Sequence, residues 1–225
     1  MPDAGRTIAP DASRWDWGDL RRLQPVSREF GYDRGLPIDR YYIERFLETH
    51  RRDVTGRTLE IGDDEYTRRY GGDRTTRRDV LHVHGRNPAA TIVGDLAAAP
   101  QIADATFDCI VVTQTLHLIY DVDRAVATLY RILRPGGVVL ATFPGISQLS
   151  RDEWIRTWSW AFDSRLARQL FAIQFGDQGV TVQTHGNSLA AASFLQGLAT
   201  PELAPAQLDA HETGCELLVT VRAVR

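Results

Sequence analysis

Lysine is absent from this chain of 225 residues, so every basic side chain is an arginine. That excludes a Schiff-base lysine and a phosphate-loop lysine from its chemistry. Cysteine occurs twice, at Cys109 and Cys215. Each lies in an apolar run that reads as a strand, and one pair makes no disulfide scaffold, so both are expected as buried free thiols. No stretch reaches the roughly 18 uninterrupted apolar residues of a membrane span, and no apolar segment follows positive charge at the N-terminus. A cytoplasmic location is expected. Excess positive charge is also missing: 26 basic groups face 29 acidic ones, net −3, which gives no field to draw the chain onto nucleic acid or an anionic membrane. The G-x-G-x-x-G spacing of dinucleotide sites does not occur.

The length suits one sizeable domain. Residues 1–27 are polar, broken by Pro10 and Pro25, with Trp15, Trp17 and Leu20 as the only anchors, so they read as an arm ahead of a single domain over 28–225. Ile38, Tyr42, Ile43, Phe46 and Leu47 keep helical spacing over 38–51, and Asp39 near the start suits the helix dipole. Short apolar runs then alternate with helices. Strands are expected at Thr58–Ile61, Val80–His84, Thr91–Val93, Phe107–Thr113 and Val138–Phe143. Between the last two, Val122, Ala125, Val126, Leu129, Ile132 and Leu133 mark a helix, and Arg134-Pro135-Gly136-Gly137 reads as its stop and a tight turn. Strand, helix, strand in this order is a right-handed crossover. A helix near Arg165–Phe175, a strand at Val180–Thr184, a helix at Ser188–Leu198 and a strand at Cys215–Val221 complete the chain. The expected fold is α/β: a Rossmann-like, doubly wound seven-stranded sheet, mostly parallel, with an antiparallel C-terminal strand.

In such a sheet the ligand lies beyond the carboxyl ends of the strands at the switch point. The first strand ends in Glu60-Ile61-Gly62-Asp63, where Gly62 permits a tight turn and Glu60 offers a fixed carboxylate to a cationic group. A pyrophosphate would avoid the acidic Asp63-Asp64-Glu65. After the third strand, Asp95 can accept from an exocyclic amine while Leu96 packs on a flat ring such as adenine; the local sequence alone favours a turn or cap residue, and its position after the third strand reverses that preference. The fourth strand opens into Gln114-Thr115-Leu116-His117. His117 is the base candidate, with a structural histidine as the alternative. His82 and His84 share a strand face, but no carboxylate or thiol cluster completes a metal site, so no metal is expected. Arg68, Arg69, Arg74, Arg77 and Arg78 form either an anion grip or a solvated face paired with Asp73 and Asp79. Trp154, Trp158 and Trp160 read as an aromatic lid or as core packing.

These segments together resemble the bacterial class I S-adenosylmethionine-dependent methyltransferases of the group found beside glycosyltransferases and in natural-product clusters. The resemblance runs from Val26 to Arg225 and is carried by Gly35–Ile43, Leu59–Asp63 with Tyr66-Thr67, Ile92–Leu96, Gln114–Asp121, Leu133–Gly137, Gly186-Asn187 and Val219–Ala223. It implies S-adenosylmethionine as cofactor, with Glu60, Gly62 and Asp63 at its methionine end, Asp95 and Leu96 at adenine, and Thr113, Gln114 and His117 beside the transferred methyl. It also implies a small-molecule acceptor touched by Tyr41, Trp158 and Trp160, with a homodimer left open. Three positions depart from the group's pattern. His84 stands where an acid usually meets the ribose hydroxyls, Trp160-Ala161-Phe162-Asp163 replaces Trp-Arg-Phe-Thr, and His185-Gly186-Asn187 replaces Tyr-Gly-Asn. Methyl transfer to an oxygen is the leading expectation. A non-methylating cyclisation or isomerisation on the same fold, or ligand binding alone, is the rival.

Overall fold

A computed structural model describes residues 18–149 and 156–225. The anchors expected at Trp15 and Trp17, and Trp154 of the aromatic segment, lie outside the described residues. The strands are β1 (Gly56–Ile61), β2 (Thr75–His82), β3 (Ile92–Val93), β4 (Phe107–Thr113), β5 (Leu133–Pro144), β6 (Val180–His185) and β7 (Leu218–Val224). The helices are α1 (Ile38–Thr49), α2 (Val122–Ile132), α3 (Ser164–Phe175), α4 (Ser188–Leu195) and α5 (Pro205–Asp209). All seven strands join one sheet in the order β3-β2-β1-β4-β5-β7-β6. Neighbours pair in parallel from β3 to β5, whereas β7 is antiparallel to both β5 and β6. This is the expected architecture. Strand order reverses between β1 and β4, and the crevice of an open α/β sheet forms at that reversal.

Alternation along β4 shows why the sheet is buried on both sides. Ile110 and Val112 pack with Leu129 of α2 and Phe171 of α3, while Cys109 and Val111 pack with Ile43 and Phe46 of α1. A strand apolar on both faces gives an uninterrupted run, and here the expected and observed limits coincide. β2 differs, starting five residues before the expected Val80 and ending at His82. Its polar first half, Thr75-Thr76-Arg77-Arg78-Asp79, is flanked on the outer side by no strand, because β3 pairs only with Leu81 and His82. Polar side chains are therefore tolerated there.

β5 starts directly after α2, and Arg134–Gly137 is not a separate turn. Phe107 pairs with Leu133 and Cys109 with Val138, so four residues bulge out of β5 opposite one of β4. Gly137 is needed in this bulge, since a Cβ there would lie 2.9 Å from the Arg134 carbonyl oxygen. The last strand begins at Leu218, which leaves Cys215 outside it and only partly buried; Cys109 is fully buried, and both thiols are free. α4 stops at Leu195, short of the expected Leu198. The N-terminal segment joins the domain by Val26, whose N–H and that of Ser27 donate to the Gln196 carbonyl.

Candidate functional site

Two cavities adjoin at the carboxyl ends of the central strands. The larger, about 720 Å³, is lined at the end of β1 by Glu60, Gly62 and Asp63, beyond β3 by Asp95 and Leu96, and at the end of β4 by Thr113 and Gln114. The crevice thus gathers seven of the eight residues expected to hold the donor. The eighth, His84, is not on its wall. Because β2 ends two residues earlier than expected, His82 and Val83 line the cavity there, and the His84 N–H folds back to donate to His82 Nδ1 at 3.0 Å. No group of three or more metal-ligating side chains occurs among the described residues.

Glu60 is 2 % exposed, and its two oxygens accept from the Tyr66 N–H at 3.2 Å and the Thr67 N–H at 2.7 Å. The carboxyl thereby caps the turn that follows β1. Burial nevertheless dominates and pushes its pKa up to about 8, against the pull of those amide bonds. Among the described residues no cation is ion-paired to it. Gly62 has φ +96°, and a Cβ there would meet no protein atom within 4 Å, so the residue keeps a stretch of cavity wall free of side chain. Asp95 lines the cavity, and its Oδ1 accepts from the Ala97 N–H at 2.8 Å as the cap of a short helical turn, the structural part expected of it. Leu96 beside it is buried, giving an apolar surface next to a carboxylate.

The smaller cavity, about 530 Å³, shares Tyr32, Arg40, Gln114 and Leu118 with the larger. Gln114 therefore stands between the two. It holds φ +45°, a region non-glycine residues rarely occupy, with its N–H donating to the Thr142 carbonyl at 3.1 Å. Its Nε2 donates to Asp39 Oδ2 at 3.1 Å. Strain of this kind, of order 1–3 kcal/mol, persists where surroundings over-determine it. His117 lines the smaller cavity, 3 % exposed, with its ring centroid 4.4 Å from that of Trp158. Burial lowers its pKa to about 4, so at neutral pH the imidazole is uncharged and a weak base.

Two expected acceptor contacts lie elsewhere. Tyr41 opens onto a separate surface cleft, where its hydroxyl donates to Asp209 Oδ1 at 2.6 Å and Arg45 lies over its ring. Trp160 lines neither cavity. Its Nε1–H donates to the carbonyls of Ile119 at 3.0 Å and Tyr120 at 3.2 Å, and its ring stacks on Tyr120, so it fastens the chain after β5 to the loop after β4. Four of the five clustered arginines are ion-paired: Arg77 bonds Asp79, Arg68 and Arg78 meet Asp64, and Arg69 meets Glu44, while Arg74 donates to the Arg51 carbonyl. Sequence reasoning missed Tyr32, Asp39 and Arg40 as cavity walls. The available signal was an Asp-Arg step opening an amphipathic helix, directly after an aromatic segment punctuated by Gly31 and Gly35.

A cationic methyl donor carrying adenine fits the larger cavity. Its volume falls within the usual range of about 300–1,000 Å³. It offers a buried carboxyl without a cation, a side-chain-free turn at Gly62, and a carboxylate beside an apolar surface at Asp95 and Leu96. Comparisons with known proteins agree. Residues 55–141 match the family described as a methyltransferase domain. A probable S-adenosylmethionine-dependent methyltransferase of Mycolicibacterium smegmatis is 34% identical over 93 residues, which are 41% of this chain and 31% of that protein. The aligned part thus spans about a third of this curated relative. Among solved structures, an S-adenosylmethionine-dependent methyltransferase of Thermotoga maritima, a possible histamine N-methyltransferase, aligns over 82% of this chain and 91% of its own at 18% identity and TM-score 0.52. The [4+2]-cyclase SpnF aligns over 80% and 79% at 16% identity and TM-score 0.50. At these identities the structural likeness is one of fold. The chain thus has the fold of class I S-adenosylmethionine-dependent methyltransferases and matches a methyltransferase domain over residues 55–141, which supports S-adenosylmethionine as its cofactor.

Proposed function

We propose that this chain transfers the methyl group of S-adenosylmethionine to an oxygen of a small molecule. The observation that carries the reading is Glu60, a buried carboxyl in the switch-point cavity with no cation paired to it among the described residues. Bound there, S-adenosylmethionine supplies an electrophilic methyl group that needs little further activation. Glu60, Gly62 and Asp63 would face its methionine end, and Asp95 and Leu96 its adenine. Thr113 ends β4 on the wall of the larger cavity and Gln114 after it is a wall of both, so an acceptor in the smaller one faces the donor across Gln114. The chain contributes chiefly alignment, which is worth several kcal/mol of barrier when the reacting atoms are held in line.

His117 has a narrower part than a general base. A nitrogen with pKa about 4 accepts a hydrogen bond from a hydroxyl and turns its lone pair, but it does not keep the proton, which passes on to water. Incubation of the purified chain with donor and hydroxylated acceptors tests the reading. Formation of S-adenosylhomocysteine in step with methyl ether supports it, and absence of donor binding by calorimetry at millimolar ligand defeats it. The rival reading, a non-methylating reaction on the same fold, draws on the weak basicity of His117 and the absence of an acid at the end of β2. Conversion of a substrate with no S-adenosylhomocysteine released would favour it.

A further inference from the structure

The smaller cavity carries chemistry that the donor cleft does not explain. Four buried side-chain polar atoms lack a hydrogen-bond partner among the described residues, and three belong to residues on this cavity's wall: Asp39 Oδ1, Gln114 Oε1 and His117 Nδ1. Asp39 and His117 are 7 % and 3 % exposed, so both groups are largely withdrawn from bulk solvent. Nor can Asp39 and Gln114 satisfy one another further. The Gln114 amide already donates Nε2–H to Asp39 Oδ2, which fixes its orientation and leaves two acceptor oxygens facing no donor. A buried acceptor without a donor is costly, and a ligand that donates there relieves the cost.

Charge and shape narrow the ligand. Arg28 and Arg40 on this wall are matched by Glu29 and Asp39, with Arg40 Nε 3.9 Å from Asp39 Oδ2, so no net field draws an ion. Two pairs of packed rings line the space. Trp158 packs on His117, and Phe30 packs on Phe194 with ring centroids 6.4 Å apart.

We propose that the smaller cavity is the acceptor subsite, and that it takes a neutral, ring-bearing molecule whose hydroxyl donates toward Asp39, Gln114 and His117. The assignment rests on the larger cavity being the donor site, since Gln114 and Leu118 are walls of both. It predicts discrimination by the head group on a constant ring, because the aromatic walls serve every ring equally while the unpaired acceptors serve only a donor and the balanced charges serve no ion.

Four probes sharing one ring test this: benzyl alcohol, toluene, benzylamine and benzoate, titrated against the full chain by ligand-observed NMR with S-adenosylhomocysteine present. Benzyl alcohol should bind about tenfold tighter than each of the other three. His117→Phe keeps a ring against Trp158 and removes the nitrogen, so it should bring benzyl alcohol close to toluene while leaving toluene unchanged. Should His117→Phe fail to fold, Gln114→Glu serves instead: its added charge should turn the preference toward benzylamine. Equal binding of the four probes, preference of the unaltered chain for either ion, or no binding at all overturns the subsite. Calorimetry with S-adenosylhomocysteine on the same sample separates the two claims. Donor binding without alcohol preference defeats this inference alone, whereas absent donor binding defeats the reading on which it rests.

Discussion

The two cavities share a wall yet are built to opposite electrostatic plans. Around the larger stand Glu44, Glu60, Asp63, Glu65, Asp95 and Asp121 against one guanidinium, Arg40; around the smaller, two acids meet two arginines among aromatic rings. A surplus of carboxyl groups in a crevice raises the cost of each charge and is relieved by a cation. A balanced, ring-lined space rewards shape and hydrogen bonding. One cleft is therefore specified by charge and the other by directed acceptors. Changes at either should leave the other largely intact, which is the property to break.

Gly62→Val should produce the largest effect. At φ +96° a β-branched residue is strained by about 1–2 kcal/mol, and its side chain enters the donor cleft from an otherwise bare stretch of wall. Donor affinity should fall by about a hundredfold or more, with ring-probe binding in the smaller cavity unchanged. Calorimetry with S-adenosylhomocysteine and NMR with benzyl alcohol on one sample would show whether the cavities separate in this way. Joint loss would show them to be one site.

Acid stability tests the smaller cavity next. His117 is held neutral by burial with its folded pKa lowered from 6.5 to about 4. The unfolded chain binds the proton more readily, so the stability this group contributes is present above pH 6.5 and is lost as pH falls through 6.5 toward 4. The full shift corresponds to roughly 3 kcal/mol. His185, also lowered to about 4, chiefly by burial, acts in the same direction from β6. Denaturant midpoints measured from pH 7 to pH 4 should fall more steeply for the native chain than for His117→Phe. Equal slopes would show that His117 opens to solvent before it titrates.

Glu60→Gln has a smaller effect of opposite pH sense. Burial raises the Glu60 pKa to about 8, so in the ligand-free chain the group is largely protonated at pH 7, and a cationic ligand must displace that proton. Donor affinity should rise with pH up to about 8 and then level off. Glutamine keeps only one of the two backbone amide contacts, because its NH2 cannot accept, and it abolishes the rise and weakens donor binding by about tenfold above pH 8. The same linkage acts on folding: a raised carboxyl pKa contributes stability that is complete below pH 4.5 and lost as pH rises through about 8. Calorimetric titrations between pH 6 and pH 9 read both the affinity and the proton released.

The donor cleft was legible because strand ends are legible. β1, β3 and β4 are short apolar runs, and the polar residue that closes each run is the one the sheet delivers to the crevice; Glu60, Asp95 and Gln114 all follow from that rule. His84 fails it because β2 stops at His82, a limit set by where β3 ceases to pair rather than by any local pattern. The acceptor side was read poorly. Its walls come from Phe30 and Tyr32 in an irregular loop, from the first turn of α1 and from Phe194 at the far end of the chain, brought together only by tertiary packing. Tyr41 and Trp160 show the converse, since the family resemblance for the one and aromatic type for the other suggested contact with substrate, while their polar atoms already have partners within the fold.

Trp160 gives the smallest expected effect and the sharpest distinction within the aromatic segment. Its Nε1–H is shared between the carbonyls of Ile119 and Tyr120, and its ring rests against the core that contains α2 and α3. Trp160→Phe keeps most of the apolar contact and loses the donor, so it should cost about 1 kcal/mol of stability. Ring-probe affinity should stay within about twofold, because the residue lines neither cavity. Trp158→Phe should do the reverse, leaving stability nearly unchanged while weakening every ring probe several-fold through the smaller face it presents beside His117. Two tryptophans two residues apart would then divide cleanly, one fastening the loop after β4 and the other meeting the acceptor. If Trp160→Phe weakens the probes as much as Trp158→Phe does, the segment moves as one body over the cavity and the division between wall and support disappears.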